Sequence, residues 1–395
     1  MVPISHITMS ATERVTLGMP AAEAVSREAE RLGARRVFIL ASRTLNQNTD
    51  EIRNIESALG ARHVLTWDGI QPHVPRLDVL AATAAARRAE ADLVVTVGGG
   101  SVTDAGKAIL LCLQNQITDA AQFDAYRVKT DAEGKWLDPE YAGPSVRLVC
   151  VPTTLSGGEF SPLAGITDEV RKQKHGYAHR SMTPAGIVLD PAITIHTPMP
   201  LWLSTGVRSV DHATEALASL RSNDYCDGMA ESALRLLAVG LPRVKADPGD
   251  LEARLKCQVG TWQSKIPGVS GVPMGASHAI GHVLGGTYGV PHGVTSCVMA
   301  PYVQAWNIAG GDERIAERQR RLAACLGQAA RPAAELLGDL IRGLGMPHTL
   351  GEVGVGRDAF RHIAEYTLED IWGKTNPRPL TCAGDVMEIL EAALG

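Results

Sequence analysis

The sequence predicts an α/β domain with a parallel sheet, followed by an all-helical domain. Three observations favour this class. The chain has 395 residues, enough for two domains that each bury a core. In the first half, short apolar runs alternate with helical patterns. From about Thr197 onward only amphipathic helical spacing remains. We therefore expect domains at 1–195 and 196–395.

Strands and helices alternate along the first domain. Apolar runs bounded by glycine, proline or polar residues predict the strands, and apolar residues three and four apart predict the helices. Because helices connect parallel strands, we expect a Rossmann-like sheet with helices on both faces. The predicted strands are 36–41, 63–67, 93–97, 146–151 and 185–189, and the helices are 21–32, 51–59, 76–91 and 102–113.

Outside these elements the sequence predicts one irregular insertion and a series of further helices. Residues 114–145 carry Asp, Lys, Gly, Pro and aromatic residues without a clear period. A segment of this kind is either a solvated excursion or a lid or binding loop. The helices predicted for the second domain are 206–221, 227–241, 251–264, 314–327, 332–344 and 384–394.

Composition narrows the function to small-molecule chemistry. The formal net charge is −5, so no broad basic field favours nucleic acid or an anionic membrane surface. The seven cysteines are scattered and never spaced as CxxC, which predicts reduced thiols. The N-terminus lacks a signal-peptide pattern, and no apolar run has membrane-spanning length. We expect a cytoplasmic protein.

A glycine-rich turn joins the predicted strand 93–97 to a helix. Small residues let the backbone approach an anion, and free N–H groups at a helix start bind phosphate. The turn is either such a cradle or purely structural. Asp104 and Lys107 follow on one helical face, as phosphate and ribose ligands or as a surface ion pair. The turn consists of Gly98, Gly99, Gly100 and Ser101.

Polar residues also follow the predicted strand 146–151. Thr153 and Thr154 come directly after it. The carboxyl ends of parallel strands are where open α/β sheets bind ligands, although turn chemistry alone also explains two threonines. Lys174 places a cation further along the same region. These residues are candidates for the same ligand site as the glycine-rich turn.

Three of the twelve histidines lie within fifteen residues of one another. His278 and His282 are four apart and share one face of a predicted helix. A glycine-rich turn at 285–289 is expected to fold His292 back toward them. Such a cluster indicates metal binding or proton chemistry, whereas isolated histidines are more often core or surface residues.

A fourth histidine, His212, lies on another predicted helix. Arg208 precedes it by one helical turn, so the two side chains share a face. A metal site would need a carboxylate where this arginine stands. Arg208 therefore argues against a metal ion beside His212.

These motifs resemble the iron-containing (group III) alcohol dehydrogenase family in their order and separation. The resemblance runs from about Val15 to the C-terminus, and residues 32–40 and 376–379 look most like the maleylacetate reductase branch. It implies the α/β plus all-α architecture that dehydroquinate synthase shares. The motifs are Gly98-Gly-Gly-Ser101-x-x-Asp104-x-x-Lys107, Pro152-Thr-Thr154 with Gly158-Glu159, the helix carrying His212, and His278-x3-His282-x9-His292-Gly293.

The resemblance implies an NAD(P) cofactor, with its pyrophosphate on the glycine-rich turn and Asp104 near its adenosine or nicotinamide side. NAD-specific relatives carry an acidic residue after the first strand, whereas this chain has Ser42 followed by Arg43. We therefore expect NADP(H) to be tolerated alongside NAD(H). The implied cofactor-binding residues are Ser42, Gly98, Gly99, Gly100, Ser101, Asp104, Thr153, Thr154 and Lys174.

Family members bind iron or zinc through Asp-x3-His and two histidines fourteen apart, and the Asp position here is Arg208. A guanidinium about 5 Å from a divalent ion costs roughly 6–7 kcal/mol at an effective dielectric near 20. Asp211, adjacent to His212, is expected to point about 100° away on the helix. No metal is favoured. The ligands, if one binds, would be His212, His278 and His292.

The resemblance implies NAD(P)H-dependent reduction of a carbonyl, in an oxo acid such as maleylacetate or in an aldehyde or ketone. Arg208 would hold a substrate carboxylate bidentately or merely fill the metal space. His278, His282 or His212, as imidazolium, would protonate the alkoxide, with His282 preferred, and His292 completes the catalytic set. The alternatives are a metal-dependent alcohol dehydrogenase, a dehydroquinate synthase-like lyase and a non-catalytic nucleotide-binding protein. We also expect a homodimer.

Overall fold

The computed structural model describes residues 6–130, 136–137 and 139–395, and they form two compact units. The first unit is Ser10–Thr197, and the second is Pro198–Gly395 together with residues 6–9. The first is α/β and the second is all-helical, which confirms the predicted fold class. None of the helices in these described ranges combines the length and the apolarity needed to cross a membrane.

A six-stranded parallel sheet forms the centre of the first unit. The strands in chain order are β1 (Arg14–Leu17), β2 (Val37–Ala41), β3 (His63–Trp67), β4 (Leu93–Gly98), β5 (Lys129–Thr130), β6 (Trp136–Leu137), β7 (Arg147–Pro152), β8 (Leu163–Asp168), β9 (Gln173–Ala178) and β10 (Gly186–Leu189). The sheet has the order β1-β10-β7-β4-β2-β3, and every pair in it is parallel. β5 with β6 and β8 with β9 form two-stranded antiparallel hairpins.

Helices cover both faces of this sheet. The helices of this unit are α1 (Ala21–Arg31), α2 (Arg43–Asn48), α3 (Glu51–Leu59), α4 (Arg76–Arg88) and α5 (Gly100–Gln114). Alternate residues of a strand point to opposite faces. Phe38 of β2 therefore joins the core with α4 and α5, and Ile39 joins the core with α1 and α3. β2 and β4 are buried along their whole length, as central parallel strands require.

Three strands of the first unit carry too weak a signal for sequence-based prediction. β1 has only four residues and is half-exposed, so its alternation is too short to recognise. β8 and β9 contain Gly165 and Gly176, and glycine lowers strand propensity.

The insertion predicted at 114–145 is partly packed into the core, and residues 131–135 and 138 lie outside the described residues. Residues Ala120–Tyr126 form a 3-10 helix. Phe123 on it is fully buried, with its ring centroid 5.5 Å from that of Tyr177. The expectation of a solvated excursion is therefore wrong for this part. Burial of an aromatic ring fixes the segment to the sheet domain.

The second unit consists of nine helices in the described ranges. They are α6 (Met199–Ala218), α7 (Asp224–Ala246), α8 (Leu251–Val269), α9 (Ala276–Tyr288), α10 (His292–Ala309), α11 (Glu313–Cys325), α12 (Ala333–Gly343), α13 (Phe360–Glu369) and α14 (Ala383–Ala392). The turn expected at 285–289 is wrong, because α9 continues to Tyr288 and only Gly289 is left-handed, at φ 69°. α10 escapes sequence-based prediction because it is buried nearly all round and so lacks an amphipathic period.

Candidate active site

In the first unit, the glycine-rich turn lies at the carboxyl end of β4, directly against the segment that follows β7. A Cβ atom on Gly99 would lie 3.0 Å from Cγ2 of Thr154, and one on Gly100 would lie 3.0 Å from Oγ of Ser156. Any residue could adopt the backbone conformation of Gly99, which has φ −83°. Glycine is therefore needed here because a side chain would not fit. The first N–H groups of α5 have no acceptor within their own helix, so they are available to an anion.

The turn also joins the ends of the neighbouring strands. The Ser42 N–H after β2 donates to the carbonyl of Val97 at 2.8 Å, and the Thr153 N–H after β7 donates to the carbonyl of Gly98 at 3.0 Å. Thr153 and Thr154 are both buried. The ends of β2, β4 and β7 thus gather the predicted cofactor-binding residues on one edge of the sheet, where open α/β sheets bind ligands.

Asp104 and Lys174 also come together. Oδ2 of Asp104 lies 3.7 Å from Nζ of Lys174 and accepts the Gly165 N–H at 3.2 Å. The pair connects the first turns of α5 to the β8–β9 hairpin. Lys107, which was a candidate ligand, instead is fully buried and donates to the carbonyls of Gly158 and Leu163 at 2.6 and 2.8 Å. Lys107 therefore holds the segment between Gly158 and Leu163 in place.

In the second unit, a charged cluster forms where α9 and α10 pack on α6. Arg208, His212 and Glu215 are spaced i, i+4, i+7, so they share one face of α6. The close approach of α10 depends on Gly293, where a Cβ atom would lie 2.7 Å from the backbone of Ser204. The Pro-His-Gly motif therefore contributes a close helix contact as well as a histidine.

Arg208 is buried, with 3% of its surface exposed, and is connected to Asp211 through a serine. Its Nη1 donates to Oγ of Ser296 at 2.9 Å, and that hydroxyl donates to Oδ2 of Asp211 at 2.6 Å. Nε of Arg208 is buried without a hydrogen-bond partner in the described chain. Burial lowers the pKa of Arg208 and raises the pKa of Asp211.

Asp211 faces the cluster, although it is adjacent to His212 and was not expected to take the place of the missing acidic residue. Its Oδ2 lies 3.4 Å from Nδ1 of His278 and accepts the Ser277 hydroxyl at 2.8 Å. The rotation of about 100° from His212 directs Asp211 toward α9 and α10, which wrap around α6. The predicted rotation therefore does not take Asp211 out of the cluster, because the partners of Asp211 come from α9 and α10.

Glu215 fixes the orientation of His278. Its Oε2 accepts from Nδ1 of His278 at 2.7 Å and from the Gly275 N–H at 2.8 Å, and its Oε1 accepts the Ser277 N–H at 2.7 Å. Burial raises the pKa of Glu215 to about 7. Nε2 of His278 is buried with no partner among the described residues.

His212 and His278 lie side by side, with ring centroids 4.8 Å apart. Burial, followed by the positive charge of Lys265 for His212 and of Arg208 for His278, lowers the pKa of both rings well below the usual range. Both are therefore neutral near neutral pH, which corrects the expectation that either is an imidazolium. Nε2 of His212 lies 3.3 Å from Nζ of Lys265.

His282 occupies a more open position. Its Nδ1 lies 2.8 Å from Oδ2 of Asp370, and its ring lies 4.6 Å from that of Trp372. The side chain is 37% exposed, so water reaches it. His292 is an exposed residue at the first position of α10.

Two family models match nearly the whole chain. The model of the iron-containing alcohol dehydrogenases matches residues 12–191, and the model of the C-terminal part of that family matches residues 202–394. The chain belongs to the iron-containing alcohol dehydrogenase family. Within this family it lies in the maleylacetate reductase-like branch, as the sequence motifs indicated.

Individual relatives of the iron-containing alcohol dehydrogenase family agree with this placement. Dehydrogenase FUM7 of Gibberella moniliformis is 32% identical over 96% of this chain and 95% of its own length. Maleylacetate reductase of Burkholderia cepacia is 29% identical over 93% of this chain and 92% of its own. The crystal structure of maleylacetate reductase from Agrobacterium tumefaciens covers 100% of this chain and 99% of its own, with 27% identity and a TM-score of 0.81. This chain is an oxidoreductase acting on CH–OH or C=O groups.

The family name implies iron, and the residues of the charged cluster do not fit a divalent ion. The family resemblance places the acidic ligand at Arg208, and the ammonium of Lys265 lies 3.3 Å from Nε2 of His212. Asp211, Glu215 and His278 are close enough together to hold an ion, but serine hydroxyls, backbone N–H groups and Nδ1 of His278 already bond to the carboxylates. Oδ1 of Asp211 is buried without a hydrogen-bond partner among the described residues, so it is the two cations, and not a lack of free carboxylate oxygens, that disfavour a metal ion here.

Several residues of this candidate active site escaped sequence-based reasoning. Glu215 had a usable signal, because it lies seven residues after Arg208 and three after His212 on one helical face. Lys265, Asp370 and Trp372 had none, because they reach the cluster from other helices and loops. Their separation along the chain carries no period, so only the tertiary packing reveals them.

Proposed function

We propose that this protein is an NAD(P)H-dependent reductase of oxo acids, or of aldehydes and ketones that carry a carboxylate, and that it works without a metal ion. The observation that supports this most is the buried guanidinium of Arg208 within a histidine cluster. Its Nε has no partner in the described chain. An arginine there repels a metal ion but attracts a carboxylate.

The proposal assigns cofactor binding to the α/β unit. The N–H groups at the start of α5 would hold the pyrophosphate, with Thr153 and Thr154 beside it and Asp104 and Lys174 near the ribose. The small residues of the turn leave the backbone accessible to the phosphates. When bound, the reduced dinucleotide supplies a hydride to the carbonyl carbon. Ser42 in place of an acidic residue supports use of both NADH and NADPH.

The helical unit would bind the substrate and supply the proton. His282 is the proposed donor, because Asp370 holds its Nδ1 and leaves Nε2 to face a substrate oxygen. A carboxylate on Nδ1 orients such a ring and stabilises its charged form during reaction. The exposed position of His282 lets solvent return the proton after each turnover. The carbonyl thus gains a hydride on carbon and a proton on oxygen, and the dinucleotide leaves oxidised.

Arg208 would select the substrate. A guanidinium and a carboxylate form charge-assisted hydrogen bonds, which are worth about 1.5–3 kcal/mol each when buried. The link through Ser296 to Asp211 fixes the guanidinium plane before substrate binds, so little entropy is lost on binding. The maleylacetate reductases among the relatives are named for a substrate with carboxylate groups, which supports the same substrate class. The homodimer and the cytoplasmic location stay predictions.

An oxo acid and its methyl ester, assayed with Arg208→Met and the wild type, test the proposal. We expect the variant to raise KM for the acid by about a hundredfold, the value of one or two charged hydrogen bonds, and to change KM for the ester by less than about threefold. Arg221→Met, at an exposed residue beyond α6, serves as the control and should match the wild type. Equal losses for both substrates would mean that Arg208 only fills space. Absence of NAD(P)H oxidation by the wild type with every carbonyl tested would refute the proposal.

A further inference from the structure

We infer that Lys265 is a catalytic residue whose ammonium group stabilises the negative charge that develops on the substrate's carbonyl oxygen. This inference rests on the proposed function, because it concerns the same reaction. Lys265 lies on α8, and its Nζ reaches Nε2 of His212 on α6 at 3.3 Å. The family resemblance counts His212 among the metal ligands. A lysine ammonium thus bonds to a histidine where a metal ion would be expected.

The contact determines the state of the histidine. An ammonium group can only donate hydrogen bonds, so Nε2 of His212 accepts and the ring is neutral. Its hydrogen then stays on Nδ1, which is buried without a partner in the described part of the chain. His212 acts in this arrangement as a positioning residue, since its Nε2 holds the ammonium in the cluster.

The charge of Lys265 reaches both neighbouring rings. The ammonium acts electrostatically on His212 and on His278, whose ring lies 4.8 Å from that of His212. The ammonium group of Lys265 also carries a full positive charge, which attracts a developing oxyanion in addition to its hydrogen bond to His212. Lys265 is only partly buried, so a substrate can approach it.

Arg208 is less suited to this role. Its Nη1 donates to Ser296, which in turn donates to the carboxylate of Asp211. The charge of Arg208 is therefore partly balanced within the cluster, and its planar fork fits a carboxylate better than a single oxygen. Lys265 is a compact charge on a flexible stem, which suits one oxygen atom. Arg208 is therefore suited to the substrate's carboxylate, and Lys265 is suited to its carbonyl oxygen.

The chemistry needs a cation at this point. Addition of a hydride to a carbonyl carbon moves an electron pair to the oxygen, and a fixed positive charge beside it lowers the barrier. Lys265 keeps its own protons, because His282 donates the proton that completes the alcohol. Water then returns a proton to His282. Lys265 therefore ends each turnover in the form in which it began.

The same helix offers a matched control. Lys256 also lies on α8, nine residues before Lys265, and forms an ion pair with Glu252 one turn away. Glu252 is 67% exposed, so this pair lies at the surface and contributes little. Lys256→Met removes a lysine charge from the same helix without touching the histidine cluster.

The test compares Lys265→Met, Lys265→Arg and Lys256→Met with the wild type, using NAD(P)H and an oxo acid. We expect Lys265→Met to lower kcat by about a hundredfold or more, in the range found for loss of an oxyanion-stabilising donor, with KM changed by less than about threefold. Lys265→Arg should keep kcat within about tenfold, because it keeps the charge. Added methylammonium should restore part of the kcat of Lys265→Met, by about tenfold. Lys256→Met should match the wild type.

Two outcomes would overturn the inference while leaving the proposed function intact. One is a Lys265→Met protein that keeps kcat within about fivefold of the wild type. The other is a lowered kcat that neither Lys265→Arg nor methylammonium recovers, which is the behaviour of a structural residue. If Lys265→Met does not fold, Lys265→Gln and Lys265→Arg decide the same question. A wild type that oxidises no NAD(P)H with any carbonyl would instead refute the proposed function, and this inference with it.

Discussion

Nδ1 of His278 lies 2.7 Å from Oε2 of Glu215. Because the carboxylate accepts this hydrogen bond, the ring keeps its hydrogen on Nδ1 and presents the lone pair of Nε2. That atom is buried with no partner in the described ranges. His278 therefore offers a ligand an acceptor, which suits the hydroxyl group of an alcohol product. The same contact separates His278 from His282, whose more exposed ring is the proposed proton donor.

The burial of His212 predicts a stability that depends on pH. Its pKa is lowered well below the usual range in the folded protein, so below about pH 6.5 the unfolded chain binds a proton that the folded chain does not. The stability that the neutral ring of His212 contributes at higher pH is therefore lost as the pH falls, by up to about 1.4 kcal/mol per pH unit. Urea titrations of the wild type and of His212→Gln measure this effect. We expect the wild type's free energy of unfolding, relative to that of the variant, to decrease as the pH is lowered from about 7.5 to about 5.5. A difference that stays constant across this range would contradict the burial of a neutral ring.

The packing of Gly99 against Thr154 predicts that a side chain at position 99 weakens cofactor binding, and that a smaller residue at position 154 restores it. In Gly99→Ala the new Cβ atom meets Cγ2 of Thr154 at 3.0 Å, so the turn or the threonine must shift. We expect the dissociation constant for NADH to rise about tenfold, equal to roughly 1.4 kcal/mol. Thr154→Ser removes Cγ2, so the double variant should regain most of the affinity.

Titration of NADH fluorescence measures these constants. Gly286→Ala is the control, because no atom lies within 4 Å of its added Cβ position. Wild-type affinity in Gly99→Ala would show that the turn does not bind the cofactor. A double variant as weak as Gly99→Ala would show that Thr154 is not the cause.

Ser42 predicts tolerance of NADPH. The family resemblance implies that NAD-specific relatives carry an acidic residue at the place of Ser42, directly after β2, where it would bond the ribose hydroxyls and repel a 2′-phosphate. Ser42 carries no charge. We expect the wild-type dissociation constants for NADH and NADPH to differ by less than about a hundredfold, or roughly 2.7 kcal/mol. Ser42→Asp should raise the dissociation constant for NADPH by about tenfold and leave that for NADH nearly unchanged. A wild type that already rejects NADPH would contradict this prediction.

Arg76 connects the 3-10 helix Ala120–Tyr126 to the sheet domain and should therefore contribute to the free energy of unfolding. It is 3% exposed and lies 2.7 Å from Oδ1 of Asp124 and 2.9 Å from Oδ2 of Asp168. Without Arg76 both carboxylates still pair with Arg171, and Asp124 is 36% exposed, so the cost is that of the lost charged hydrogen bonds, about 1.5–3 kcal/mol. We expect Arg76→Met to lower the free energy of unfolding by this amount in urea titrations. Arg361→Met breaks a pair in which the arginine is 86% exposed, and should cost less than about 1 kcal/mol. Equal effects of the two changes would refute the structural role of Arg76.

The fold follows from the sequence where one pattern dominates. The run at 93–97 predicts a strand, and β4 (Leu93–Gly98) is indeed buried along its whole length. α10 has no such pattern, because neighbours surround it and nearly every position is apolar or small. Periodicity reports one buried face, so an element buried on all sides does not show it.

The site follows from the sequence only in part. Arg208, His212 and His278 could be grouped because helical spacing and the family resemblance both involve them. The role of Asp211 could not be predicted, because its partners Ser277 and Ser296 lie on other helices. Lys265 and Asp370 are the proposed charged groups nearest the chemistry, and each reaches its histidine through tertiary packing alone.

Reduction of a carbonyl by a cationic pocket without a metal ion can be tested by one experiment that measures metal content and turnover together. The purified protein is treated exhaustively with a chelator, its iron and zinc are measured, and its oxidation of NAD(P)H with an oxo acid is compared with that of untreated protein. We expect kcat to stay within about twofold while bound metal falls to well below about one ion per ten chains. Loss of turnover on chelation, with recovery on addition of iron or zinc, would contradict it.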